Sequence, residues 1–175
     1  RFQARVYFDT FSRKGFVDGV GIRLPTIVVR PGRPNLAASG FFSNILREPL
    51  VGQEAVLPVS RDVRHWFASP RAAVGFLMHA AQMDTSLLGW RRTVSAPGIS
   101  ATVCEEIEAL GRVAGAKAVS LIREVPDERI ITIVDGWPRN FDASRALSVG
   151  FTADATFDDI LRAHIEDELG GKLGV

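Results

Sequence analysis

Gly19-Val20-Gly21-Ile22-Arg23-Leu24-Pro25-Thr26-Ile27-Val28-Val29 is the stretch whose reading decides the fold class. Val20, Ile22, Leu24, Ile27, Val28 and Val29 make an almost unbroken apolar run. That is the pattern of a strand covered on both faces, as in a parallel sheet with helices packed on either side. Pro25 sits awkwardly inside it, because proline has no N–H to give to a ladder. An edge position or a local break accounts for it, and strand breaks are where ligands meet α/β sheets. One buried strand cannot build a parallel sheet alone, so the run carries the expectation that its sheet partners lie upstream of the sequence.

The flanks add helices and short strands. Residues 1–14 carry Phe2, Val6 and Phe11 near helical spacing, and Gly15 ends that helix. A proline- and glycine-rich loop at 30–35 leads to a helix capped at Ser39, with Phe42, Ile45 and Leu46 inward and Pro49 as its stop. Short strands are expected at 54–59, 63–67 and 91–95. Ser69-Pro70 is a helix start, and the pattern points Ala73, Val74, Leu77, Met78 and Ala81 inward. Thr102 and Glu105 form a capping-box pair before a helix that buries Val103, Ile107, Leu110 and Ala114. Asp142 caps a short helix, and 156–169 form the last one, with Phe157, Ile160, Leu161, Ile165 and Leu169 on one side.

Composition narrows the function classes. A net charge of +1 gives no electrostatic reason to expect a nucleic acid or an anionic membrane as partner. A single cysteine, Cys104, allows neither an internal disulfide nor a cysteine-pair zinc site, and its place on a helix with Val103 and Ile107 suits inert packing. His65, His79 and His164 are scattered and lack metal-ligand spacing, so no metal is expected. No Gly-x-Ser-x-Gly elbow, Walker loop or Gly-x-Gly-x-x-Gly turn occurs. The start, Arg1-Phe2-Gln3-Ala4-Arg5, has no apolar signal run, and the expected compartment is the cytoplasm.

Four blocks carry a family resemblance. Arg23-Leu24-Pro25-Thr26-Ile27-Val28-Val29-Arg30-Pro31-Gly32 resembles the strand and loop after the catalytic helix of the extended short-chain dehydrogenases, the NAD-dependent epimerase/dehydratase family. Phe41-Phe42-Ser43-Asn44-Ile45-Leu46-Arg47-Glu48-Pro49-Leu50 looks like its substrate-loop helix. Val63-Arg64-His65-Trp66-Phe67-Ala68-Ser69-Pro70 and Asp142-Ala143-Ser144-Arg145-Ala146 with Gly150-Phe151 match later segments, in the same order. Within the family, 39–54 and 136–142 are similar to a branch that oxidises a four-carbon sugar acid.

The resemblance implies an α/β fold: the end of a Rossmann-type sheet plus a small mixed α/β substrate domain, with the N-terminal cofactor-binding part absent. Residues 1–35 would be a remnant of the Rossmann-type domain. Residues 36–175 would be mainly substrate-binding, with some segments returning to pack on the sheet. It implies NAD as cofactor of the complete enzyme, a small sugar acid as substrate and a homodimer. A nucleotide-sugar epimerase or dehydratase, or a non-catalytic remnant, are the alternatives.

No catalytic residue can be named. The family's tyrosine–lysine pair would stand at or before Arg1, and Tyr7 has Phe11, not lysine, four residues on. By resemblance Leu24, Pro25, Thr26 and Ile27 border the nicotinamide, and Asn35, Ser39, Phe42 and Ser43 lie on the substrate loop. Arg64 is expected to grip the anionic part of the substrate, since a guanidinium fork matches a carboxylate. A simple ion pair, with Asp62 or a neighbouring carboxylate, is its other reading.

Overall fold

The computed structural model describes residues 2–33 and 37–175. Helix α1 (Phe2–Arg13) opens the chain and leads into β1 (Gly21–Arg23) and β2 (Thr26–Ile27). Then come α2 (Gly40–Leu50), β3 (Ala55–Leu57), β4 (Arg64–Ala68), α3 (Pro70–Gln82) and a 3-10 turn at Thr85–Leu88. The remainder runs β5 (Thr93–Ser95), β6 (Ile99–Thr102), α4 (Val103–Val119), β7 (Ile122–Glu124), α5 (Glu128–Asp135), α6 (Ser144–Ser148) and α7 (Phe157–Leu169).

The apolar run finds sheet partners inside the chain, and only its end, Val28 and Val29, is fully buried. β1 pairs in parallel with β5, with Gly21 opposite Thr93 and Arg23 opposite Ser95. β2 pairs in parallel with β4, with Thr26 opposite Phe67, and β4 pairs antiparallel with β6. β3 and β7 form a further parallel pair. This corrects the expectation of a lone strand from an absent cofactor-binding part: a parallel, Rossmann-like arrangement is present within these residues. The partners lie about forty residues downstream for β4 and about seventy for β5, in short segments whose three to five residues show too little periodicity to declare a parallel strand.

Two apolar clusters form. One joins Val28 and Val29 to Phe42, Ile45 and Leu46 of α2, Phe67 of β4, Ile107 and Leu110 of α4, and Ile160 and Leu161 of α7. The other gathers Phe76, Leu88, Val94, Ala146 and Phe151. The expected inward face of α3 is corrected here. Phe76 is the buried residue of that helix, while Val74, Leu77 and Met78 are more than half exposed. The helical period is right, but the phase is set by where β4 and β5 place the helix, which periodicity does not encode.

The caps of α3 and α4 follow the sequence, whereas Asp142, expected to cap α6, stands one residue before its N-cap Ala143 and accepts from Ser144 N at 2.9 Å. Thr102 and Glu105 close the capping box of α4, and Thr156 with Asp159 closes a second at α7. Ser69 accepts from the Ala72 N–H at 2.9 Å at the start of α3, and is itself held by Asp154 at 2.8 Å. Ser39 occupies the N-cap position of α2 but makes no capping hydrogen bond with its side chain, and α2 continues one residue past Pro49. Within α4, Gly115 (φ 84°) breaks the helical path, a conformation that residues with a Cβ avoid. Removing the α4 cap by Thr102→Ala is expected to lower stability by about 1 kcal/mol, read from the thermal or urea midpoint. An unchanged midpoint would contradict a supporting role for the box.

Candidate active site

The site is built around the break in the apolar run. The Arg23 carbonyl accepts from Ala96 N at 2.9 Å, still on the β5 side, whereas Val28 N donates to the Ala68 carbonyl at 3.0 Å, on the β4 side. Between them Leu24 is 45% exposed and Pro25 is buried. A proline suits the point where a strand leaves one partner for another, because no ladder bond is asked of it there. Gly98 packs against this corner. A Cβ there would lie 2.9 Å from Pro25 Cγ and would collide with the Phe67 carbonyl, so the corner requires glycine.

Thr26, the first residue past the break, is half-buried. Its Oγ1 lies 2.6 Å from Nε2 of His65 on the neighbouring β4. The imidazole is boxed by aromatic rings. It stacks on Phe42 at 5.2 Å with planes 5° apart, and meets Phe67 and Trp137 at 5.4 Å. Burial pushes the ring's pKa below the usual histidine range, partly countered by the Pro138 carbonyl. Nδ1 makes no hydrogen bond of regular geometry among the described residues.

The residues named from the sequence fall into three places. Leu24, Pro25, Thr26 and Ile27 line the break. Phe42 is fully buried beneath His65, and Ser43 is almost fully buried, its Oγ accepting from Arg30 N at 3.2 Å. Ser39 is half-buried at the head of the same helix, and Asn35 lies outside the described residues. Arg64 stands apart, since alternation along β4 turns it away from the face that carries His65 and Phe67. Its guanidinium is 3.2 Å from Glu105 and donates to the Ser100 carbonyl at 2.9 Å. The carboxylate beside it is therefore Glu105, reached across β6, rather than Asp62.

Below Ser43 lies a small basic cavity of about 70 Å³ lined by Arg30, Pro31, Arg33, Gly40, Ser43, Asn44 and Arg47. Arg47 donates to Glu48 at 2.6 Å, to the Arg30 carbonyl at 2.8 Å and to Asn44 at 2.9 Å. The Arg30 and Arg33 side chains make no ion pair among the described residues, so the cavity keeps a positive balance.

His65, Arg47 and Arg145 are structural keys that the sequence reading passed over. Arg145 donates to the backbone carbonyls of Thr93 at 2.9 Å and Leu88 at 2.7 Å, and to that of Arg91, which ties α6 to the start of β5. Its place in the Asp142–Ala146 block was visible, but not its targets. His65 was weighed only as a metal ligand; its alternation with Phe67 on an apolar strand was the available signal. Among the described residues no cluster of His, Cys, Asp and Glu could hold a metal ion. Burial, with Glu108 adding to it, raises the Cys104 thiol's pKa, which opposes a nucleophilic role. No described helix is long and apolar enough to cross a membrane.

No protein-family model matches the chain. D-erythronate dehydrogenase of Cupriavidus necator is 48% identical over 157 residues, which are 90% of this chain and 48% of that protein. D-erythronate dehydrogenase of Haemophilus influenzae is 43% identical over 161 residues, 92% of this chain and 51% of that protein. The crystal structure of a nucleoside-diphosphate-sugar epimerase from Agrobacterium tumefaciens superposes with a TM-score of 0.94 at 61% identity, covering 96% of this chain and 49% of that one. The chain spans about half the length of the curated relatives it matches.

Proposed function

Because the chain is homologous to members of the NAD-dependent epimerase/dehydratase family, we propose that it forms the substrate-side wall of an enzyme that draws hydride from a carbinol of a sugar-related substrate. The observation that carries this reading is the corner at Leu24–Ile27, where a parallel strand changes partner and presents an apolar edge with one hydroxyl. That donor set suits a flat, amide-bearing ring: Leu24, Pro25 and Ile27 would cover its face or edge, and Thr26 would meet its polar substituent. NAD, when bound, supplies the hydride acceptor. The chain's own residues orient the substrate and exclude water.

Two substrate readings share that first step. The 61% identity to a protein described as a nucleoside-diphosphate-sugar epimerase favours a sugar nucleotide, and the cavity of Arg30, Arg33 and Arg47 is the feature whose chemistry suits a phosphate. The likeness to two D-erythronate dehydrogenases supports a sugar acid, with Arg64 gripping the carboxylate. Its pair with Glu105 is two-fifths exposed on the arginine side, and such exposed pairs contribute at most about 1 kcal/mol, so a substrate carboxylate can displace it.

The deciding experiment incubates the full-length protein and NAD with D-erythronate and, separately, with nucleoside-diphosphate sugars. Net NADH from the acid supports a dehydrogenase. An epimerised sugar nucleotide without net NADH supports an epimerase, and neither product would defeat the proposal. In the sugar-acid case Arg64→Ala is expected to raise KM by about tenfold or more with kcat little changed. An unchanged KM would remove Arg64 from the site.

A further inference from the structure

We propose that Glu105 is a positioning residue for Arg64, and that its fixed charge makes this end of the site select a singly charged carboxylate over a doubly charged, phosphate-type group. The inference rests on the sugar-acid reading above and deepens it.

Two acceptors hold the Arg64 guanidinium. Nη1 donates to the Ser100 carbonyl at 2.9 Å, and Nη2 lies 3.2 Å from Oε2 of Glu105. Both acceptors are themselves held. Ser100 belongs to β6, and its hydroxyl donates to the Arg139 carbonyl at 2.9 Å. Glu105 Oε2 also accepts from the Thr102 N–H at 2.6 Å, as one half of the α4 capping box, and Thr102 stands opposite Arg64 in the sheet register. A guanidinium carries five N–H donors in a rigid fork. Ser100 and Glu105 occupy only part of that fork, and the side chain is 40% exposed, so donors remain for a ligand.

The capping box is complete without Arg64, so the helix does not require the pair. What the pair adds is electrostatic. A ligand that displaces Glu105 from the guanidinium does not remove its charge, because the Thr102 N–H still holds the carboxylate beside the site. Arg139 is itself offset by Asp135 at 3.7 Å. This end therefore sets each arginine against a carboxylate, unlike the cavity of Arg30 and Arg33, whose guanidinia make no ion pair among the described residues. A carboxylate brings one negative charge to that balance. A phosphate-type group brings a second, which meets Glu105 uncompensated and is expected to cost about three- to fivefold in affinity in such exposed surroundings.

The test measures, by calorimetry on the full-length protein with NADH present, the Kd of D-erythronate and of its phosphonate analogue, in which a phosphonate replaces the carboxylate. Mildly alkaline buffer keeps the phosphonate doubly charged, and NADH prevents turnover. Glu105→Gln keeps the acceptor of the capping box. It is expected to lower the Kd of the phosphonate relative to that of the acid by about three- to fivefold. Glu105→Asp retains the charge and should leave the ratio near the wild-type value. Raising the salt should shrink the Glu105→Gln effect, because exposed charges are screened. An unchanged ratio in Glu105→Gln, or a shift that salt does not touch, overturns the inference. A lower unfolding midpoint with the ratio intact marks a capping role alone and overturns it equally. Arg64→Ala separates this outcome from the reading beneath it. If that variant raises the Kd of D-erythronate about tenfold while Glu105→Gln leaves the ratio alone, only the inference falls. If Arg64→Ala leaves the Kd unchanged, or the wild type binds no D-erythronate, the carboxylate is not at Arg64 and both fall.

Discussion

Replacing Arg47 with methionine is expected to destabilise the protein by about 3–5 kcal/mol, because it leaves an uncompensated charge in the interior. Arg47 and Glu48 are each only 10% exposed at the side chain, and their ion pair is 2.6 Å long. The same guanidinium holds the Arg30 carbonyl and Asn44, while Glu48 Oε2 already lacks a partner among the described residues. Without Arg47 the carboxylate would be stranded and the loop after β2 would lose its anchor. The double variant Arg47→Met/Glu48→Met should recover much of the loss, since removing both charges also removes the desolvation penalty. Urea unfolding reads both results. A loss below about 1 kcal/mol for the single variant would mean that the pair is solvated in the folded protein.

Glu106 is expected to make the protein less stable as pH rises, and Glu106→Gln to remove that dependence. The side chain is fully buried in α4, and neither carboxyl oxygen has a partner among the described residues. Burial raises its pKa well above the ordinary 4.5 that the unfolded chain would show. The folded state therefore prefers the protonated acid. Whatever Glu106 contributes is complete below pH 4.5 and is lost progressively as pH climbs toward the folded value. In that window the slope is up to about 1.4 kcal/mol per pH unit. Glutamine keeps the size without the titration, so the variant should be more stable than the wild type above neutral pH and similar to it in acid. Equal slopes for the two proteins would show that Glu106 reaches water or a partner when ionised.

Local sequence determined what depends on neighbouring residues. The capping box at Thr102 and the Ser69-Pro70 start of α3 were legible because each needs only three or four adjacent positions, and the apolar stripe of α7 because it repeats within one helix. The apolar run with Pro25 likewise announced an interrupted strand, although only Val28 and Val29 of its aliphatic residues are fully buried, and the order of motif blocks carried the resemblance to the extended short-chain dehydrogenases. Within the candidate site, the corner at Leu24–Ile27 was visible, as was the helix of Phe42 and Ser43.

Tertiary structure decided everything that required a distant partner. It supplied β5 and β4 as parallel neighbours of β1 and β2, and so a sheet where sequence suggested a solitary strand. It turned the apolar stripe of α3 outward and buried the charged side chains of Arg47, Glu48 and Glu106. It paired Arg64 with Glu105 and Thr26 with His65. The reason is common to all of these. Capping and periodicity are local free energies, whereas burial and pairing follow from which surfaces meet after the chain has closed its long loops.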